Sequence, residues 1–258
     1  MKLYTLIENS TSDPALTAEH GLSLYIETSG KKLLFDTGAS GSFLENARRM
    51  GVNLGAVDLA ILSHGHYDHG GGIRTFLEVN DHAPVYLSAR AFGEHYNASG
   101  KYIGLAPELR ENPRLFPVEN RLELFPGVWL DHGDSWLYPI EPYGLQVRER
   151  DALRPEEFDH ELYLLVQEGE RSFCFSGCAH RGVENIVLRF HPRVFVGGFH
   201  FKELQPEDER LTRAAERLLQ QPCEYYTCHC TGEAQYRHLK RQMGNRLHRL
   251  SAGTVLEI

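Results

Sequence analysis

A chain of 258 residues with 41% hydrophobic, 24% charged and 10% aromatic residues has an ordinary globular composition, which excludes an intrinsically disordered protein. Its formal net charge of −8 excludes the basic surface of a general nucleic-acid-binding protein, so we expect no nucleic-acid partner. No apolar run approaches the roughly 20 residues that cross a bilayer. Residues 1–8 resemble a strand rather than a signal peptide. We therefore expect a soluble, cytoplasmic protein without a membrane partner.

The predicted elements of the first third alternate between strands and helices. Hydrophobic periodicity predicts strands at residues 23–27 and 32–35, a helix at 42–50 that ends before Gly51, and a short strand at 59–63. A further helix is predicted at 73–79. Residues 64–72 therefore form a loop between a strand and a helix.

The middle of the chain, from about residue 88 to 155, is irregular and rich in proline, glycine and aromatic residues. It contains short apolar runs such as those at 122–125 and 128–130. We interpret this segment as an insertion that covers a functional site.

Regular alternation returns in the last third. The following elements are predicted in order: strands at 162–166 and 172–175, a helix at 183–190, a strand at 193–196, a helix that opens at Pro206 with an acidic first turn, a strand at 224–227, a helix at 234–243 and a strand at 254–258. Strands that alternate with helices at both ends of the chain predict an α/β protein in which helices cover the sheets.

Two segments suggest that the chain has two related halves. Residues 36–40 and 176–180 each follow an apolar strand and precede a helix. If two such halves face each other, their strand ends come together at one edge. Because the two halves would share that edge, we predict a single domain over residues 1–258.

The five cysteines all lie in the last third of the chain, and an odd number is poorly suited to a disulfide framework. Reduced thiols are therefore expected. The cysteines are Cys174, Cys178, Cys223, Cys228 and Cys230.

The loop at residues 64–72 concentrates metal-binding residue types, with His64, His66, Asp68 and His69 inside six residues. Imidazole nitrogen and carboxylate oxygen together suit zinc, iron(II) or manganese. Gly65 and the glycines at 70–72 allow the backbone to fold closely around an ion. A polar surface loop that is rich in histidine is the alternative, but the density of donors favours a metal site.

This His-x-His-x-Asp-His pattern after an apolar strand resembles the signature of the metallo-β-lactamase superfamily. Upstream, the Leu-Leu-Phe-Asp-Thr-Gly segment at 33–38 resembles that superfamily's first motif, whose aspartate orients the metal loop through hydrogen bonds. The resemblance implies a four-layer αββα sandwich with a mono- or dinuclear site at the shared sheet edge. It further implies that His64 and His66 bind one ion and that Asp68 and His69 bind the second.

Later strand ends are implied to supply the remaining ligands, namely Cys178, His180 and His229. The alternative for each of these histidines is a hydrogen bond to backbone at its strand end. Cys178 stands where many members carry a bridging aspartate, so the usual bridging carboxylate is absent. A thiolate beside metal-bound imidazoles has a lowered pKa and is able to ligate metal or to sense oxidation.

Several histidines and cysteines have less defined roles. His200 is a candidate catalytic residue, as a ligand, as a hydrogen-bond partner of a ligand or as a substrate contact. Three histidines of the irregular segment are expected to be solvated or to face substrate, namely His95, His132 and His160. Cys228 and Cys230 flank His229, but no second Cys-x-x-Cys pair completes a zinc knuckle, so buried thiols are the favoured interpretation.

A closer resemblance rests on three motifs, Gly-Cys-Ala-His-Arg-Gly at 177–182, Gly-Gly-Phe-His at 197–200 and His-Cys-Thr-Gly at 229–232. In this order they resemble a subfamily labelled dihydropteroate synthase-related. Its archaeal members are associated with a pterin-precursor synthase that joins an aminobenzoate to phosphoribosyl pyrophosphate.

The resemblance implies hydrolysis of a small-molecule ester, phosphoester or related compound by a metal-activated water, with two divalent ions per chain and zinc as the favoured metal. Asp68 would position the water, and Tyr67, Lys101, Tyr102 and Arg181 are candidate substrate contacts. The alternatives are a phosphoribosyl-transferring synthase and a non-catalytic metal-binding regulatory module. A di-iron oxidoreductase is disfavoured, because such members usually carry glutamate at the position of His66.

Overall fold

The computed structural model describes all 258 residues, which form 17 strands and six α-helices. The strands are β1 (Lys2–Ile7), β2 (Ser23–Thr28), β3 (Lys31–Phe35), β4 (Leu59–Ile61), β5 (Val85–Ser88), β6 (His95–Tyr96), β7 (Leu115–Val118), β8 (Leu122–Phe125), β9 (Val128–Asp131), β10 (Gln146–Glu149), β11 (Ala152–Pro155), β12 (Tyr163–Glu168), β13 (Arg171–Phe175), β14 (Val194–Val196), β15 (Glu224–Thr227), β16 (Leu247–Arg249) and β17 (Val255–Glu257). The helices are α1 (Ser42–Arg49), α2 (Tyr67–Gly70), α3 (Ile73–Val79), α4 (Val183–Phe190), α5 (Glu209–Leu219) and α6 (Glu233–Met243). None of these helices combines the length and the hydropathy needed to span a bilayer.

The chain divides into two compact units. Unit 1 contains residues 1–120, 144–162 and 251–258, and unit 2 contains residues 121–143 and 163–250. Each unit has its own mixed sheet of seven strands and its own buried apolar cluster.

The main sheet of unit 1 has the strand order β17-β1-β2-β3-β4-β5-β7. Neighbours from β17 to β3 are antiparallel, whereas β3, β4, β5 and β7 run parallel to one another. Helices α1 and α3 lie in the connections between these parallel strands and bury Phe43 and Phe76 in the apolar cluster. A separate three-stranded sheet of order β11-β10-β6 completes the unit.

The sheet of unit 2 has the order β16-β15-β14-β13-β12-β9-β8, and its strands β13 to β16 are parallel. Helix α4 buries Val183, Ile186 and Val187, and α5 adds Leu211 and Leu218 to the same cluster. This one-sided burial follows from the helical repeat of apolar residues in both segments.

The predicted α/β class is confirmed, since the parallel strands of both units are connected through helices. The start of α5 was predicted at Pro206 and is wrong by three residues. Asp208 is the N-cap residue, and its side chain accepts a hydrogen bond from the backbone N–H of Arg210. Between residues 88 and 155 the structure contains short strands, of which β7, β8 and β9 belong to the two main sheets.

Candidate metal centre

In unit 1 the metal-binding residue types lie at the carboxyl ends of two neighbouring parallel strands. Strands β3 and β4 end in register, with Phe35 opposite Ile61. Asp36 follows β3 directly. The segment from His64 to His69, here called the histidine loop although residues 67–69 lie on α2, follows β4. In open α/β sheets, ligands bind at the carboxyl ends of the strands.

Asp36 orients the histidine loop, as the resemblance implied. Its fully buried carboxylate accepts hydrogen bonds from the backbone N–H and the hydroxyl of Ser63, both at 2.7 Å. The same carboxylate lies 2.7 Å from Nδ1 of His69. A carboxylate only accepts hydrogen bonds, so Nδ1 of His69 carries the proton and Nε2 keeps its lone pair. This arrangement is typical of a histidine that ligates metal.

The three loop histidines are buried side by side. The ring centroid of His64 lies 4.1 Å from that of His69 and 4.6 Å from that of His66. Burial, with repulsion from His69 and His66, holds the pKa of His64 well below its ordinary value. The imidazole is therefore neutral at physiological pH, which is the form that binds a metal ion. A close-packed group of buried imidazoles fits the divalent ion that the signature implies.

Asp68 lies on α2 and its Oδ2 is 3.2 Å from Nε2 of His20. His20 was not predicted as a site residue. It stands alone before β2, with no motif around it, so nothing in the local sequence marks it. The contact places an exposed imidazole beside Asp68, the carboxylate that is expected to position the water.

In unit 2 the predicted ligands again follow parallel strands that end in register, with Phe175, Val196 and Tyr226 side by side. Four candidate site residues follow β13, β14 and β15 and are all buried, namely Cys178, His180, His200 and His229.

Cys178 is close to two histidines of this second group. Its Sγ is within 4.8 Å of a ring nitrogen of His180 and within 4.8 Å of a ring nitrogen of His229. The rings of His180 and His200 are adjacent, with centroids 4.2 Å apart. Each unit therefore presents its own cluster of metal-binding side chains at the carboxyl ends of parallel strands.

Four residues after these strands hold the left-handed backbone conformation without being glycine. Asp36, Ala179, His200 and His229 have φ values of 60°, 49°, 51° and 51°. Such a conformation costs on the order of 1–3 kcal/mol at each residue and is concentrated at functional sites. The sequence did not indicate this strain, because residue type alone does not fix the backbone angles of Asp, Ala or His.

The other cysteines are thiols with a packing role. All five cysteines are buried and none forms a disulfide, as expected. Cys228 and Cys230 flank His229, and Sγ of Cys230 donates a hydrogen bond of 3.5 Å to the carbonyl of Cys178. Neither belongs to a metal-binding group, which agrees with buried thiols rather than a zinc knuckle.

The expectation of solvated positions is wrong for His95 and His160, which are 2% and 0% exposed. Glu156 lies 2.7 Å from Nδ1 of His95, and the backbone N–H of Gly65 donates to Nδ1 of His160. The 61 residues that separate His95 from Glu156 explain why local patterns missed the contact. His132 is partly exposed and its carbonyl accepts a hydrogen bond from Arg181.

The predicted substrate contacts differ in exposure. Tyr67 and Tyr102 are 38% and 37% exposed, and Nζ of Lys101 lies 5.8 Å from the ring centroid of Tyr67. Arg181 is buried, with its guanidinium 5.3 Å from the ring centroid of Trp136. The three exposed side chains are accessible to a ligand, whereas Arg181 is held by protein groups.

A cavity of about 240 Å³ in unit 2 opens beside His180 and His200. Arg210, Arg213 and Arg217 of α5 line it, each paired with a carboxylate, and Glu141 and Glu184 line it as well. Tyr138 and Tyr143 add aromatic surface. Burial raises the pKa of Tyr143 to about 12, so its hydroxyl remains protonated and is able to donate a hydrogen bond. The cavity therefore has room for a small ring or an anionic group next to two histidines.

Gly65 allows the close approach that the histidine loop requires. A Cβ atom at this position would overlap the backbone carbonyl of Ala91. We expect Gly65→Ala to lower the free energy of unfolding by about 1–3 kcal/mol and to weaken metal binding, because the neighbouring histidines must move. Denaturant unfolding with and without zinc tests this. Gly55→Ala is the control, since its nearest contact is 3.2 Å, and an equal loss of metal binding there would contradict the explanation.

Comparison with known proteins agrees with the geometry. A model of the family described as the Metallo-beta-lactamase superfamily matches residues 16–228. The chain is 24% identical, over all of its length and 96% of the other protein, to the 7,8-dihydropterin-6-methyl-4-(beta-D-ribofuranosyl)-aminobenzene-5'-phosphate synthase of Methanocaldococcus jannaschii.

Solved structures show the same similarity. The crystal structure of Tm1679, a metal-dependent hydrolase of the beta-lactamase superfamily, matches with a TM-score of 0.82 and 30% identity, covering 100% of this chain and 99% of that one. Zinc-bound PqqB from Methylobacterium extorquens matches over the full length of both chains with a TM-score of 0.65 and 11% identity, a likeness of fold alone.

Proposed function

The chain belongs to the metallo-beta-lactamase superfamily, and we propose that it is a metal-dependent hydrolase acting on a small-molecule ester, phosphoester or related compound. The observation that carries the proposal is the pair of buried donor clusters that follow parallel strands in the two units. In unit 1, Asp36 holds the proton of His69 on Nδ1 and leaves Nε2 for a metal ion. In unit 2, Sγ of Cys178 lies within 4.8 Å of a ring nitrogen of His180 and of one of His229.

We assign the metal ligands to both clusters. The proposed ligands are His64, His66, Asp68, His69, Cys178, His180 and His229. Imidazole, thiolate and carboxylate donors together favour zinc over the harder ions, although iron or manganese also accept most of this set. The number of donors suits two ions per chain.

A bound divalent ion would supply Lewis acidity and lower the pKa of a bound water to about 7. The chain's own residues then have separate tasks. Asp68 orients the water, and His20, 3.2 Å away, holds that carboxylate in place. His200 lines the cavity beside His180 and contacts substrate there, which supports its proposed catalytic role.

The test begins with metal analysis of protein purified without chelator, followed by a screen of phosphodiesters, esters, thioesters and lactones. We expect close to two zinc ions per chain and turnover of at least one class. Removal of metal with a chelator should abolish turnover, and zinc should restore it. Metal binding without turnover of any class would instead favour a regulatory module, and protein that binds no divalent ion would contradict the proposal.

A second candidate function is a synthase-like phosphoribosyl transfer. The full-length similarity to a synthase named for a ribofuranosyl-aminobenzene phosphate favours it. So does the arginine-lined cavity, because guanidinium groups match phosphate oxygens in a bidentate geometry. Incubation with phosphoribosyl pyrophosphate and an aminobenzoate separates the two functions. Release of pyrophosphate would support the synthase. Hydrolysis of a screened ester without any release of pyrophosphate would support the hydrolase.

A further inference from the structure

A second buried carboxylate–histidine pair lies in unit 1, outside the histidine loop. Oε2 of Glu156 is 2.7 Å from Nδ1 of His95, and both side chains are 2% exposed. Because a carboxylate only accepts hydrogen bonds, the proton of His95 is on Nδ1. Nε2 of His95 therefore presents a lone pair, and this buried atom has no hydrogen-bond partner. The geometry repeats that of Asp36 and His69.

His160, beside this pair, has the opposite tautomer. The backbone N–H of Gly65 donates to its Nδ1 at 2.8 Å, so the proton of the neutral ring is on Nε2. That nitrogen lies 3.9 Å from Oε1 of Glu156, beyond hydrogen-bonding distance. The hydrogen bond from the backbone of Gly65 thus makes Nε2 of His160 a hydrogen-bond donor.

His66 completes a group of three histidines, namely His66, His95 and His160. We call this group the insertion triad after His95, its one member within residues 88–155. One ring nitrogen of each lies within 4.8 Å of one from each of the others. The ring centroid of His66 is 5.4 Å from that of His95 and 5.1 Å from that of His160. A cation held by all three would need a lone pair from each, and Nε2 of His160 offers a proton instead. The triad therefore does not suit a third metal ion.

We propose that His95 and Glu156 are positioning residues for His66, and this rests on the proposed function, in which His66 ligates metal. A neutral imidazole that gives one nitrogen to a metal ion carries its proton on the other nitrogen. A buried N–H needs an acceptor. Nε2 of His95 makes no direct hydrogen bond in this structure, and it supplies that acceptor through one water molecule. Glu156 keeps that nitrogen an acceptor by holding the proton of His95 on Nδ1.

Two replacements of His95 test the proposal. His95→Phe fills the same space without an acceptor, whereas the amide oxygen of His95→Gln restores one. We expect His95→Phe to weaken zinc binding by about 10- to 100-fold in competition with a chromogenic chelator. His95→Gln should remain within about threefold of the unchanged protein, and the visible spectrum of the cobalt(II) form should change only in His95→Phe. If His95 only filled space, the two variants would not differ in zinc affinity in this way.

Glu156→Gln provides a second route if His95→Phe does not fold. Here the expected loss of zinc affinity is about tenfold, because a neutral amide holds the proton of His95 less firmly. His82→Phe, at an exposed position, is the control and should bind zinc normally.

The failures are distinguishable. Unchanged protein that binds no zinc contradicts the proposed function itself. Normal zinc affinity in folded His95→Phe, or in Glu156→Gln, overturns only the positioning role. Loss of one whole zinc ion per chain in His95→Phe, with the others bound normally, would overturn it in favour of a metal site at the insertion triad.

Discussion

Replacing His64 and His66 together with alanine should abolish metal uptake and reduce turnover to the uncatalysed rate, typically a loss of about 10⁶-fold or more. The reason is that both imidazoles are buried within one loop, and burial together with their neighbours keeps His64 neutral and able to bind metal. Metal content per chain and kcat/KM on the substrate found by screening are the measurements. Circular dichroism establishes that the variant is folded.

The matched control replaces two histidines outside both clusters, His82 and His238, with alanine. His82 pairs with Asp81 at the surface, and His238 contacts Thr212 and Gln242 on α5 and α6. This variant should bind as much metal and turn over substrate as fast as the unchanged protein. Retention of metal and activity in the His64→Ala/His66→Ala protein would show that the loop is not the metal site.

Asp36→Asn should weaken metal binding by about 10- to 100-fold while the fold is retained. Asparagine tolerates the left-handed backbone at this position and nearly matches the shape of aspartate. Its amide group no longer accepts hydrogen bonds on both sides, so one of the groups on Ser63 and His69 loses its acceptor. We expect the free energy of unfolding to fall by about 1–3 kcal/mol. Chelator competition and denaturant unfolding provide the two values.

Asp58→Asn is the control for this change. Asp58 also accepts a backbone hydrogen bond at the end of a strand, from Lys32, but has no contact with the histidine loop. It should lose stability without losing metal affinity. If Asp36→Asn behaved in the same way, the orienting role of Asp36 would be wrong.

Elements with a strong hydrophobic period were predictable from the sequence. Helix α4 and strand β15 begin and end at the predicted residues, because their apolar residues repeat regularly and turn residues flank them. Strands β10 and β11 were not predicted. They are short, and β11 is exposed along its whole length, so neither shows the alternation that a half-buried strand would have.

The candidate site was predictable where its residues are adjacent in sequence. The loop from His64 to His69 is one continuous motif, and Asp36 lies in a second motif. His20, His95 and Glu156 were missed because their contacts join residues that are far apart along the chain, and no local pattern encodes such a contact. A lone histidine in an irregular segment is indistinguishable from a solvated one until the fold brings its partner to it.

The position of strand β17 at the end of the sequence affects how unit 1 folds during synthesis. It pairs with β1 to complete the main sheet of unit 1, although all of unit 2 is encoded before it. On the ribosome, β1 therefore waits with an unpaired edge until about 250 further residues have been synthesised. Late pairing between sequence-distant strands slows folding and exposes an edge to other chains. During translation, the open edge of β1 in unit 1 therefore needs protection from aggregation until β17 has been synthesised.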